Sequence, residues 1–184
     1  MKYMKKISGE RCYLSPMHSD DYVKYAEWLN DLETTKYLTL STANITLEGE
    51  QDYVRNLSKE HNYAVIDQKT DLLVGNCGIS DWDKIHGTAE VGIFLGNPEF
   101  RNRGYGTEAL YLLLSYAFSF LNIKSVMLRV YEQNKQALHC YEKVGFRQAG
   151  SWRSSVEQHG KRFDTIFMDC LPADLKKPST SSRN

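Results

Sequence analysis

Neither sign of charge prevails in these 184 residues: 23 lysines and arginines face 23 aspartates and glutamates, and the net charge is zero with histidine neutral. Such a chain has no global field to draw it onto nucleic acid or an anionic membrane, so recognition by charge must be local. Long apolar runs are also missing. The longest, 109–121, has 13 residues and includes Ser115 and Ser119, short of the roughly 18–20 that cross a bilayer. The basic start, 1–6, runs into Ser8-Gly9-Glu10-Arg11 instead of an apolar stretch, which excludes a secretory leader and makes the cytoplasm the expected compartment. Cysteine is sparse. The four (12, 77, 140, 170) form no CxxC and the five histidines (18, 61, 86, 139, 159) are scattered, so neither a disulfide scaffold nor a metal site is expected and the thiols read as reduced and mostly buried.

What is present is an ordinary globular composition, 41% hydrophobic and 25% charged, which suits one core of moderate size and excludes disorder of the whole chain. After Pro172 the sequence LKKPSTSSRN holds too few apolar groups to offset the entropy of ordering it. The expectation is a single domain over 1–172 and a mobile tail over 173–184.

Periodicity divides that domain. Residues 11–14 read as a short strand stopped by Pro16, and Ser19-Asp20-Asp21 offers an N-cap ahead of Tyr22, Tyr25, Ala26 and Leu29 on one helical face. Thr46 caps a second amphipathic helix bearing Leu47, Val54 and Leu57. Segments 63–67 and 72–79 flank a Gln-Lys-Thr-Asp turn, and 88–95 extends that hairpin into an antiparallel meander. Ala109, Leu112, Leu113, Tyr116, Ala117 and Phe120 predict a long buried helix over about 104–120. A strand at 125–131, a helix at 134–143 stopped by Gly145, and a hairpin turning at Gln158-His159-Gly160 complete the chain.

The most informative stretch is RNRGYGTEA, 101–109, between a strand and the first turn of the long helix. Gly104 and Gly106 let the backbone approach a ligand closely, and the unpaired N–H groups at a helix start attract phosphate oxygens. Arg101 and Arg103 add charge. Gly104-x-Gly106-x-x-Ala109 also matches the dinucleotide fingerprint literally, with Glu132 near the place of a ribose-binding acid. However, GNPEFRNR separates Leu95 from Gly104, so the tight strand-to-glycine turn is missing, and antiparallel hairpins precede the motif. A dinucleotide-binding oxidoreductase is therefore a distant alternative.

Arg101-Asn102-Arg103-Gly104-Tyr105-Gly106 resembles the R/Q-x-x-G-x-G/A signature of the GCN5-related N-acetyltransferases, the GNAT superfamily. Asn134-x-x-Ala137-x-x-x-Tyr141-x-x-x-Gly145-Phe146 is similar to that family's downstream helix and strand, and the resemblance covers about 10–171. WLND at 28–31, AEVGIFL at 89–95 and TEAL at 107–110 look most like the ribosomal-protein N-acetyltransferase (RimJ/RimL-type) branch. That branch resembles enzymes acting on protein N-termini, polyamines, amino sugars and antibiotics, so it names no single substrate. Dimers are common in it, although nothing in the sequence itself marks a homodimer.

The resemblance implies an α+β fold with a central, mostly antiparallel mixed sheet flanked by helices and splayed between its fourth and fifth strands. It implies acetyl-CoA in the splay as co-substrate, without a metal, and direct acetyl transfer to a small-molecule or peptide amine. The backbone of Ile93, Phe94 and Leu95 would pair with the pantetheine arm, and Arg101, Asn102, Arg103, Gly104, Tyr105, Gly106 and Thr107 would hold the pyrophosphate. Asn134 would cap its helix near the cofactor. Tyr141, two helical turns after Asn134, matches the motif tyrosine and would be the general acid for the CoA sulfur. Glu90 is the candidate base, with Glu108 as its alternative. The acidic excess at 31–52 (Asp31, Glu33, Glu48, Glu50, Asp52) borders the implied acceptor site and would attract a cationic amine. A non-catalytic CoA-binding or sensing domain is the rival from another class, and the retained Tyr141 weighs against it.

Overall fold

The computed structural model describes residues 2–39 and 41–178. Eight strands, β1 (Ile7–Ser8), β2 (Cys12–Pro16), β3 (Asn62–Asp67), β4 (Leu73–Asp83), β5 (Thr88–Phe94), β6 (Ser125–Tyr131), β7 (Arg147–Gln158) and β8 (Lys161–Cys170), form one sheet. Its helices are α1 (Tyr22–Leu29), α2 (Leu32–Thr35), α3 (Leu47–Leu57), α4 (Tyr105–Ser119) and α5 (Lys135–Val144). The spatial order is β1-β2-β3-β4-β5-β6-β8-β7, and every neighbouring pair is antiparallel except β5 with β6.

Two apolar layers sandwich the sheet. On one face Leu110, Leu113, Leu114 and Ala117 of α4 pack on Val65, Val74, Val91 and Val126. On the other, Tyr25 and Trp28 of α1 and Val54 of α3 cover Tyr13, Ala64 and Ile66. Because β3 is covered on both faces, its interior is buried residue after residue, as its continuous apolar run requires. β6 is covered on one face only: Val126, Leu128 and Val130 are buried, while Arg129 between them is exposed.

The parallel pair is short. β5 and β6 are in register only at Thr88–Ser125, Ala89–Val126 and Glu90–Met127. Beyond that point β5 stays with β4 as far as Asn76–Phe94, and β6 stays with β8 as far as Tyr131–Thr165. The two strands therefore open into a V. Its arms are the fourth and fifth strands anticipated from the sequence, because β1, a two-residue edge strand, was not foreseen.

Local chemistry differs from expectation in three places. Thr46 does cap α3, accepting from Gly49 N–H at 3.1 Å. By contrast, α1 receives no side-chain cap: His18 accepts from Asp20 N–H, while Asp21 is buried and takes Tyr3 Oη at 2.8 Å and Lys2 Nζ at 2.6 Å. A short helix not foreseen, α2, is capped by Asp31, which accepts from Glu33 N–H. The packed chain also continues past Pro172. Arg147 pairs with Asp174, Lys176 N–H donates to Val144 O at 2.8 Å, and Leu175 packs against the core. Gly145 (φ 119°) makes this docking possible, since the Asp174 carbonyl lies where its side chain would be. Of the expected tail, 179–184 lie outside the described residues. Among those described, no helix is long and apolar enough to cross a membrane.

Candidate active site

After β5 the chain makes a 3-10 turn, Pro98–Phe100, and a loop that enters α4 at Tyr105. Asn102 (φ 59°) and Gly104 (φ 85°) are left-handed, and Gly104 is the N-cap, which has no side chain to cap the helix itself. Among the described residues, none accepts a hydrogen bond from the backbone N–H of Asn102 through Thr107. Consecutive free donors at the positive end of a 15-residue helix form a cradle for a phosphate-sized anion. Gly106 contributes by close packing: a Cβ there would stand 3.4 Å from Cys140 Sγ and from Leu95 Cδ1.

The two arginines divide differently from expectation. Arg101 Nε donates to Leu95 O at 3.0 Å, and its Nη2 donates to Gly96 O at 3.0 Å and Thr34 Oγ1 at 3.1 Å. This guanidinium ties the end of β5 to α2 and the loop, so its main work is structural even though it borders the cleft. Arg103 is exposed and donates to Glu99 O at 3.1 Å.

From the cradle a cleft of about 540 Å³ runs between the open edge of β5 and α5, within the size range of small-molecule sites. Ile93, Phe94 and Leu95 line one side; the β4 edge is paired at Ile93 and Phe94, and the β6 edge is free beyond Glu90. The Leu95 carbonyl, already accepting from Arg101, is the exception in that open edge. Asn134 caps α5 by accepting from Ala137 N–H at 3.1 Å. Thr107 Oγ1 lies 3.3 Å from Cys140 Sγ, joining α4 to α5. Tyr141 is 9% exposed, sits edge-on to Phe146 at 5.9 Å and lines the cleft. Burial, with a smaller push from Cys140, raises its phenol well above the ordinary tyrosine range, so it stays protonated and able to donate.

The structure brings together Ile93, Phe94, Leu95, Arg101, Asn102, Gly104, Tyr105, Gly106, Thr107, Asn134 and Tyr141 on this one cleft. It leaves out Arg103, whose guanidinium turns to Glu99 O, and Glu90. That carboxylate stands at the last rung before the V and takes both Nε and Nη2 of Arg129 at 2.9 Å. Glu108 is elsewhere too, buried against the β1–β2 turn, where it accepts from the Glu10 and Arg11 backbone. The acidic region also disperses: Glu50 is buried, and only Glu33 of its five carboxylates reaches the cleft, paired with Lys36 at 3.1 Å. Sequence reasoning missed Lys36, Tyr37 and His139 on the wall. His139 lies two residues before Tyr141 on the recognised helix, a signal that was available. Nothing in the polar segment around 36–37 marked those two.

A family model, the acetyltransferase (GNAT) domain, matches residues 11–147. The chain belongs to the GNAT acetyltransferase family. This GNAT acetyltransferase is 30% identical over 157 residues to the alpha/beta-tubulin-N-acetyltransferase 9 of Drosophila melanogaster, covering 77% of this chain and 78% of that protein. An uncharacterized N-acetyltransferase, p20, of Bacillus licheniformis is 25% identical over 173 residues, 91% of this chain and 97% of that one. The crystal structure of spermidine N-acetyltransferase from Vibrio cholerae in complex with CoA and spermine shares the fold, with a TM-score of 0.79 at 22% identity over 90% of this chain and 98% of that one. The GNAT chain is thus an acetyl-CoA-dependent acyltransferase with N-acetyltransferase activity, and the dinucleotide reading falls away. The site suits that co-substrate on its own chemistry, through the row of unspent amides at Gly104 and the open strand edge beside it.

Proposed function

We propose that the cleft binds acetyl-CoA with its pyrophosphate on the amides of 102–107 and its pantetheine arm along the free edge of Ile93 and Phe94, and acetylates a primary α-amino group at a peptide or protein N-terminus. The observation that carries the cofactor half is the free N–H row at left-handed Gly104. Acetyl-CoA supplies an acyl thioester whose carbonyl carbon accepts the amine. Tyr141, held neutral by burial, gives its proton to the departing thiolate as the C–S bond breaks. Asn134 fixes the start of α5 and with it the placement of Tyr141, two turns on.

The choice of acceptor follows from what the wall can do for an amine. Glu33 is the single carboxylate on it among the described residues, and it is paired with Lys36. An alkylamine with a pKa near 10.4 is neutral in under about 0.1% of molecules at pH 7, whereas an α-amine near 7.8 is roughly one-seventh neutral. A wall without a free carboxylate suits the second, whose proton needs little help to leave. His139, exposed on the wall, is the candidate to receive it. The Drosophila relative, an alpha/beta-tubulin-N-acetyltransferase by name, supports a protein acceptor. Four free cysteines, three of them buried, suit a reducing cytoplasm.

The test is mass-spectrometric detection of acetylated product across N-terminal peptides, polyamines, aminoglycosides and amino sugars, with CoA affinity measured by calorimetry. Peptide N-termini reacting well ahead of the rest supports the reading. Spermidine reacting faster overturns the acceptor assignment, and CoA binding without any product favours the sensing domain.

A further inference from the structure

Next to the cradle, outside the lining of the cleft, lies a carboxylate that neither the turn around it nor the proposed chemistry fully explains. Asp67 ends β3 and is 4% exposed. Its Oδ2 organises the β3–β4 turn, accepting from Thr70 N–H at 2.9 Å, Thr70 Oγ1 at 2.6 Å and Lys69 N–H at 3.3 Å. That oxygen alone satisfies the turn. The other, Oδ1, accepts from Tyr105 Oη, which belongs to the first residue of α4, 38 positions away in the chain.

We propose that Asp67 is a positioning residue for the cofactor cradle, acting through Tyr105. The proposal rests on the binding mode given above. Tyr105 follows left-handed Gly104 directly, and its own N–H belongs to the unspent row. Its ring packs edge-on against Phe100 at 5.0 Å, on the shoulder where the loop begins. The ring is thus held against Phe100 at one end of the loop and at its hydroxyl by the sheet. A glycine-bounded loop has wide backbone freedom of its own, so the direction of the amides depends on such a brace. Preorganised donors bind an anion more tightly than donors that must be ordered on arrival.

The experiment is a double-mutant cycle read by calorimetric CoA binding to the full-length protein. Tyr105→Phe keeps the ring and removes the tether, and Asp67→Ala removes its acceptor. Each is expected to weaken CoA about tenfold, the scale of one hydrogen bond to a charged group. Together they should also weaken it about tenfold instead of a hundredfold, since both remove the same link. Asp67→Asn, which keeps an oxygen acceptor, should restore affinity to within about twofold of the parent, and the acceptor KM should hold throughout. Thr70→Val controls for the turn, lowering Tm with CoA affinity unchanged. Multiplying effects, or Asp67→Ala lowering Tm with CoA affinity intact, would overturn the assignment. Parent protein that binds no CoA would sink the binding mode itself, an outcome distinct from either of these.

Discussion

Replacing Tyr141 by Phe removes one oxygen from the cleft and little else. The ring keeps its packing on Phe146, and among the described residues no partner is lost, because none bonds the hydroxyl. Stability should therefore shift by no more than about 0.5 kcal/mol, and CoA affinity, which rests on the loop amides, should hold. Chemistry should not. General acid catalysis contributes about 10²–10⁴ in rate, so the loss should be at least about a hundredfold in the chemical step, or ~2.7 kcal/mol of barrier. The assay is single-turnover acetylation by rapid quench, which keeps slow product release from hiding the effect. The unaltered enzyme should also show no loss of rate from phenol ionisation below about pH 10, since burial moves the Tyr141 pKa above that value. A rate within threefold of the parent at saturating substrates would refute the acid role and leave Tyr141 as a packed aromatic.

Arg101→Ala should lower stability by about 2 kcal/mol, because it strips donors from the Leu95 and Gly96 carbonyls. A loss of CoA affinity with unchanged Tm would show instead that the guanidinium works on phosphate. Glu90→Gln should leave turnover within about threefold, since its carboxylate serves Arg129 outside the cleft; a hundredfold drop, the scale of a lost general base, would restore it as the base. Glu50 carries a titration signature, because burial raises its carboxyl from 4.5 to about 7. A raised folded pKa gives stability that is complete below about pH 4.5 and is lost as pH climbs through 7, a swing of at most about 3.4 kcal/mol. Glu50→Gln should therefore raise Tm at pH 8 by about 2–4 °C for each kcal/mol recovered and leave it unchanged at pH 4; equal shifts at both pH values would contradict this.

The elements that bury a face were legible in the sequence, because burial writes a period. α4 and the strands of the meander stand where alternation and helical spacing put them. β1 was not, since Ile7 and Ser8 are too few to carry a period and exist as a strand only by pairing with Leu14 and Tyr13. α2 was hidden for a related reason: LETT holds one apolar residue, and its start is fixed by the Asp31 cap. In the site, glycines proved more readable than charges. Gly104 is demanded by a local backbone angle, which sequence encodes directly. Arg101 and Glu90 are long or ionic side chains whose partners, Leu95 O, Gly96 O, Thr34 and Arg129, are chosen by tertiary approach. A residue type announces that it can bond; only the fold says with what.

The shortness of the parallel ladder has a mechanical side. Three rungs between β5 and β6 join a half-sheet of five strands to one of three, and above those rungs the β6-side edge of β5 is unpaired. A ligand with amide groups lying in that gap would act as a partial ninth strand, so the same hydrogen bonds that recognise it would stitch the halves together. Binding and folding are then two readings of one set of contacts. Heat resistance should climb with the logarithm of ligand concentration once the gap is filled, and side chains facing away from that main-chain seam are free to change without loosening it.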